Sequence, residues 1–98
     1  MLAAVTSKPT DPPAAGPAVE LPPASEQWQP RVTVYTYPHP LLWIYVWGGW
    51  RLATVKARHD YPSGLTAYQC ELAMPNDDGT TSRVSRTYAW GADNVRPA

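Results

Sequence analysis

The run Leu42-Trp43-Ile44-Tyr45-Val46-Trp47-Gly48-Gly49-Trp50-Arg51 constrains this chain more than any other stretch. In an extended strand successive side chains point to opposite faces. Leu42, Ile44 and Val46 therefore share one face, and Trp43, Tyr45 and Trp47 share the other. The aliphatic face suits a core. The aromatic face needs a second cover or a partner, because water on that side is costly. Gly48-Gly49 is a two-residue hairpin signal, since both central positions of a type I′ turn require positive φ. The spacing thus predicts that Trp50 to Arg58 returns antiparallel to Leu41–Trp47.

The other signals are also those of strands and turns. Arg31 to Tyr37 is rich in β-branched and aromatic residues, and Pro38-His39-Pro40 ends it. His59 to Gly64 reads as a loop and Leu65 to Met74 as a strand. Pro75 to Gly79 reads as a turn and Thr80 to Tyr88 as a further strand. Trp90 to Asn94 suits a single 3₁₀ turn before a short Val95-Arg96 strand. No apolar pattern with a helical period of useful length occurs. Alternation puts Ala53, Val55 and Ala57 on one face of their strand, and Tyr68, Cys70 and Leu72 on one face of theirs. Val84 and Tyr88 share a face of the next. Short antiparallel strands of this kind close into a small barrel, which removes the exposed edges that invite aggregation.

Composition divides the chain. Of the 12 prolines, seven fall within residues 1–30. With Trp28 as its one aromatic, that segment lacks the apolar surface to offset an ordering cost of roughly 1–2 kcal/mol per residue. Residues 1–30 are therefore expected to form a disordered, Pro/Ala-rich tail, and residues 31–98 a single folded unit. So short a unit is marginal by size. It carries four of the five Trp and all six Tyr, which fill a core with few residues.

Charge and motifs limit function. The net charge is zero, with −2 on the tail and +2 on residues 31–98. That balance neither demands nor excludes nucleic acid. Arg51, Lys56, Arg58, Arg83 and Arg86 are the candidate phosphate contacts if adjacent strands bring them together; a solvated charged face is the plainer reading. Cys70 stands alone, so no internal disulfide forms, and its place in the pattern is that of a small core residue. His39 and His59 have no metal-ligand spacing. Asp77 and Asp78 suit a turn. No nucleophile–base motif, phosphate loop or cofactor signature is present, so neither an enzyme nor a cofactor is expected. Neither a signal peptide nor a membrane span is expected, which makes the cytoplasm the default. The excess of Arg over Lys, the many Ala and Pro and the absence of Phe suggest a GC-rich bacterial or phage genome.

Gly49-Trp50-Arg51-Leu52-Ala53-Thr54-Val55, followed by Ala67-Tyr68, Asp78-Gly79 and a closing Val95-Arg96-Pro97, resembles the Tudor/Agenet group of SH3-like barrels. The resemblance covers about residues 41–97. It implies an all-β barrel of five to six strands, and it implies binding of methylated side chains, peptides or nucleic acid. No compact cage with an acidic partner is legible at the expected loops, so only the fold carries over. Two functional expectations follow. In the first, Trp43, Tyr45, Trp47 and Trp50, with Tyr88 and Trp90 near the barrel end, contact a protein partner or a second copy of the chain. In the second, a nucleic-acid-binding barrel uses the basic residues on phosphates and the aromatics for stacking. Against both stands a second core, covered by Arg31–Tyr37 or by the tail around Trp28.

Overall fold

The computed structural model describes residues 7–22 and 29–98. They are all-β, with no helix among them. The strands are β1 (Glu20–Leu21), β2 (Arg31–Val34), β3 (Leu41–Val46), β4 (Gly49–Asp60), β5 (Thr66–Pro75), β6 (Thr81–Ala89) and β7 (Val95–Pro97). They form one curled antiparallel sheet, a half-barrel in the order β1-β6-β5-β4-β3-β7, with β2 also pairing with β4.

The long strand β4 organises the rest. One edge pairs with β5; along the other, β3 takes Gly49–Thr54 and β2 takes Ala57–Asp60. A bulge at Lys56, between the Val55–Cys70 and Ala57–Gln69 pairs, lets the strand bend. Beyond it, Arg58 lies opposite Tyr68 and so shares the face of Cys70.

The core follows the expected alternation except at Ala57, which the bulge at Lys56 turns to the face of Gln69, away from Ala53 and Val55. Leu42, Ile44 and Val46 pack with Ala53, Val55, Cys70, Leu72, Tyr88 and Val95. Tyr68 and Val84 are partly buried against this cluster. Ala57 is also buried.

The hairpin turn lies one residue earlier than its glycines suggest. Val46 pairs with Gly49, which leaves Trp47 and Gly48 as the loop, with φ of 52° and 76°. Trp47 thus stands in a left-handed turn position and not on the aromatic face of β3. A bulky residue rarely accepts that conformation. Here its ring packs against the core cluster, and Arg51 secures the turn carbonyls. Its Nη2 donates to Trp47 O at 2.8 Å and its Nε to Val46 O at 3.4 Å.

A further expectation is corrected. The strand at Arg31 ends at Val34, is exposed throughout, and lies along the far end of β4; it does not cover the aromatic face. The single turn expected at residues 90–94 is present, closed by the i→i+3 bond from Asn94 N to Gly91 O, with Val95 N also bonding Gly91 O.

The largest departure is the tail. The segment 7–22, expected to lack regular structure, runs along the half-barrel and bridges its two free edges. Ala18 N donates to Tyr45 O on the β3 edge at 2.8 Å, and Ala89 N on β6 donates to Val19 O at 2.9 Å. Glu20 and Leu21 then pair with Tyr88 and Thr87. Ala18 enters the core, and Pro13 is buried. The composition argument weighed apolar area alone. It omitted the unpaired backbone groups on two strand edges, which this segment satisfies. Proline also lowers the entropy the segment loses on docking. Trp28 lies outside the described residues.

Candidate functional site

The outer face of β3, β4 and β7 carries the aromatic residues opposite the core. Register places Trp43 between Leu52 on β4 and Arg96 on β7, and Tyr45 beside Trp50. The Tyr45 and Trp50 rings meet edge to face, with centroids 5.3 Å apart. The Arg96 guanidinium carbon sits 4.7 Å from the Trp50 ring centroid, a cation–π contact. Arg96 is held there by Asp93, whose main-chain carbonyl accepts from Nε at 3.1 Å and whose carboxylate lies 3.5 Å from Nη2.

Exposure on this face is graded. Trp43 and Tyr45 are half-buried, and Leu52 is 42% exposed. Trp50 is only 4% exposed, because the N-terminal segment crosses it: its indole Nε1 donates to Asp11 O at 3.0 Å. The same segment is fastened by Ala15 N to Asp93 Oδ2 at 2.8 Å. Asn94 Nδ2 donates to Gly16 O and Pro17 O, each at 3.3 Å.

The six aromatic candidates separate into groups. Trp43, Tyr45 and Trp50 share the face just described. Trp47 belongs to the turn and packs toward the core. Tyr88 is a core residue at 2% exposure, and its buried hydroxyl has no hydrogen-bond partner among the described residues. Burial and the nearby Glu20 carboxylate push its pKa up to about 12. Trp90 is 42% exposed and stands apart, its ring 5.9 Å from that of Tyr68.

The five basic candidates do not assemble into an uncompensated patch. Lys56 and Arg83 both reach Glu71, at 3.6 and 3.0 Å. The hydrogen bond from Arg83, with the nearby positive charges, holds the Glu71 carboxyl below its ordinary range. Arg58 pairs with Asp60 at 3.0 Å and Arg86 with Glu20 at 3.2 Å. Arg51 is committed to the turn carbonyls.

A separate open cleft of about 490 Å³ lies on the outer side of β5 and β6, lined by Leu21, Pro22, His59, Tyr61, Gln69 and Thr87 among others. The Nδ1 of His59 is buried there without a hydrogen-bond partner among the described residues. Cys70 is fully buried, and desolvation raises its thiol pKa to about 12. Among the described residues, no three His, Cys, Asp or Glu side chains group to hold a metal, and no helix is long and apolar enough to cross a membrane.

Sequence reasoning missed Asp11, Asp93, Asn94 and Arg96. The one available signal was polar: Asp93-Asn94 lies just past Gly91-Ala92, and a glycine leaves room for a nearby side-chain amide to approach the backbone. A Cβ built on Gly91 would stand 2.6 Å from Asn94 Oδ1, so glycine is what admits that amide. Comparison with known proteins finds no family model, no curated protein and no solved structure that matches this chain.

Proposed function

We propose that this chain is a non-enzymatic binding module on a small Tudor-like, SH3-like barrel, which contacts a protein partner or a second copy of itself through the outer face of β3 and β4. The observation that carries this reading is the continuous set Trp43, Tyr45, Trp50 and Leu52 on one outer face, with Leu52 42% exposed and Trp43 and Tyr45 half-buried. Apolar patches of this kind usually mark interfaces, and Trp and Tyr are the residues most enriched at binding hot spots. The nucleic-acid reading is weaker, because the basic side chains it needs are engaged by carboxylates or by turn carbonyls.

Leu52→Asp tests the proposal without opening the core. Sedimentation velocity of the full chain over a range of concentrations measures association. The expected result is concentration-dependent association of the parent chain that Leu52→Asp abolishes, with the thermal midpoint nearly unchanged. The same loss of capture for an identified host protein would serve equally. An unaltered association or capture in the Leu52→Asp chain overturns the reading.

A further inference from the structure

The segment that crosses Trp50 is held in an unusual way. Among the described residues, the hydrogen bonds that barrel side chains make to residues 11–18 go to main-chain atoms. The Trp50 indole donates to Asp11 O, the Asn94 amide to Gly16 O and Pro17 O, and the Asp93 carboxylate accepts from Ala15 N. Tyr45 O accepts from Ala18 N, in the manner of an added strand. The side chains the segment buries are small, Pro13 and Ala18, whereas Ala14 and Ala15 face solvent. Between the two anchors the chain makes a turn, closed by Gly16 N to Pro13 O at 3.1 Å, with Gly16 at φ 83°. That conformation favours glycine.

We propose that this seat is a peptide-binding site in its own right. It is formed by Trp50, Tyr45, Asp93, Asn94 and the Arg96 that braces the indole, and its ligand class is an extended peptide rich in proline and alanine. The pattern it accepts is Pro-x-x-Gly-Pro-Ala, with small side chains at the first and last positions and glycine at the turn. Residues 11–18 are the resident ligand. A peptide of the same chemistry from another chain occupies the seat when the resident segment is displaced. The proposal rests on the reading of the β3–β4 outer face as a binding surface, because Trp50 and Tyr45 belong to both, and it names the chemistry of that partner.

Recognition of main-chain atoms explains why the ligand needs no large anchor. Fixed donors and acceptors meet a backbone that proline has already restricted, so little conformational freedom is lost on docking. The tether explains why the resident segment wins. A linked ligand works at an effective concentration in the millimolar range, against which a free peptide competes poorly.

The test uses the full chain and a synthetic peptide with the sequence of residues 8–18. Pro13→Gly weakens the resident segment by removing a packed ring and adding backbone freedom, and Pro13→Asp does so by burying a carboxylate. Ala14→Asp, at an exposed position, is the control that leaves the segment seated. The readout is the Trp50 indole N–H resonance together with the Asn94 side-chain amide. The peptide is expected to shift both saturably in the Pro13 variants, with a midpoint at least tenfold lower than in the parent chain or in Ala14→Asp. A scrambled peptide should leave them unmoved.

If Pro13→Asp fails to fold, Pro13→Gly carries the test. An indole signal that does not respond to ~10 mM peptide, above the millimolar effective concentration of the tether, overturns the proposal. So does an equal response to the scrambled sequence. Failure here with a positive Leu52→Asp result leaves the binding-module reading intact and removes only the peptide seat. Failure of Leu52→Asp alone, with a saturable peptide shift, removes association through Leu52 and confines binding on this face to the seat at Trp50 and Tyr45.

Discussion

The indole of Trp50 and the main-chain carbonyl of Asp11 are joined by a 3.0 Å hydrogen bond across 39 positions of the chain. That bond ties the first described segment to the aromatic face and satisfies the one polar group of a nearly buried ring. Leaving such a donor unmade in a buried place costs about 1–3 kcal/mol.

Trp50→Phe keeps most of the ring and deletes the donor. It is expected to destabilise the fold by about 1 kcal/mol, the net value of one hydrogen bond, and to raise amide exchange at Ala15 and Ala18, which are bonded to Asp93 and Tyr45. Trp50→Ala also empties the site beneath Arg96 and is expected to cost roughly 3–5 kcal/mol. Urea denaturation of the two variants, read with hydrogen exchange, checks both. Unchanged exchange at Ala15 and Ala18 in Trp50→Phe would show that the bond does not fasten the segment.

The turn makes a contrasting pair of substitutions. Gly48 has φ 76° and open space around it, so the strain of a side chain there is that of the backbone alone. Gly48→Val is expected to cost on the order of 1–2 kcal/mol, because β-branched residues resist the left-handed region. Gly49 has no positive φ, and a Cβ there meets only the Arg51 guanidinium at 3.6–3.8 Å, an ordinary contact. Gly49→Ala is expected to be neutral, or stabilising by up to ~1 kcal/mol through reduced unfolded-state entropy. Equal losses at the two positions would move the turn.

The strands from β3 to β6, the aliphatic core and the absence of helix among the described residues are legible because they rest on period-two alternation, which the residues display directly. Leu42, Ile44, Val46, Ala53, Val55, Cys70 and Leu72 all lie where that alternation places them. The turn was misplaced by one residue because two adjacent glycines made position 47 look dispensable. Alternation describes side-chain faces and does not register a Trp whose backbone has left the strand. The docked tail was illegible for a different reason. Its contacts are main-chain bonds to Tyr45, Ala89, Asn94 and Asp93, and main-chain groups leave no trace in composition. The basic residues are visible in the sequence as charges, but not their pairing. Glu71 and Glu20 reach Lys56, Arg83 and Arg86 from neighbouring strands, which only the register brings together, whereas Asp60 meets Arg58 two residues along the same strand.

Gly91 and Asn94 are expected to behave as one unit. Gly91→Ala places a methyl group 2.6 Å from Asn94 Oδ1, too close for the amide to stay, so it must leave the Gly16 and Pro17 carbonyls. Asn94→Ala removes the same two bonds from the other side. Each variant is expected to lose about 1–3 kcal/mol, the cost of buried groups left unsatisfied. The double variant should lose little more than either alone, because both delete one shared interaction. Full additivity in a denaturation series would mean that Gly91 acts through its own backbone and not through the amide.

Alkaline pH tests the core. Burial raises the Cys70 thiol from 9.0 to about 12, and it raises the Tyr88 hydroxyl from 10.0 to about 12. Both groups stay neutral in the fold at pH values where the unfolded chain ionises them. The unfolded state therefore binds fewer protons than the folded one in that window, and stability falls as pH rises. The contribution is complete below about pH 9 and is lost progressively up to about pH 12. Urea midpoints measured from pH 7.5 to 11 should be flat at first and then decline. Cys70→Ala removes the group with the lower ordinary value, so the onset should move toward pH 10, where Tyr88 alone remains. A decline with the same onset in both proteins would show that the thiol does not set it, and an equal rate of thiol labelling in folded and unfolded chains at pH 7.5 would contradict its burial.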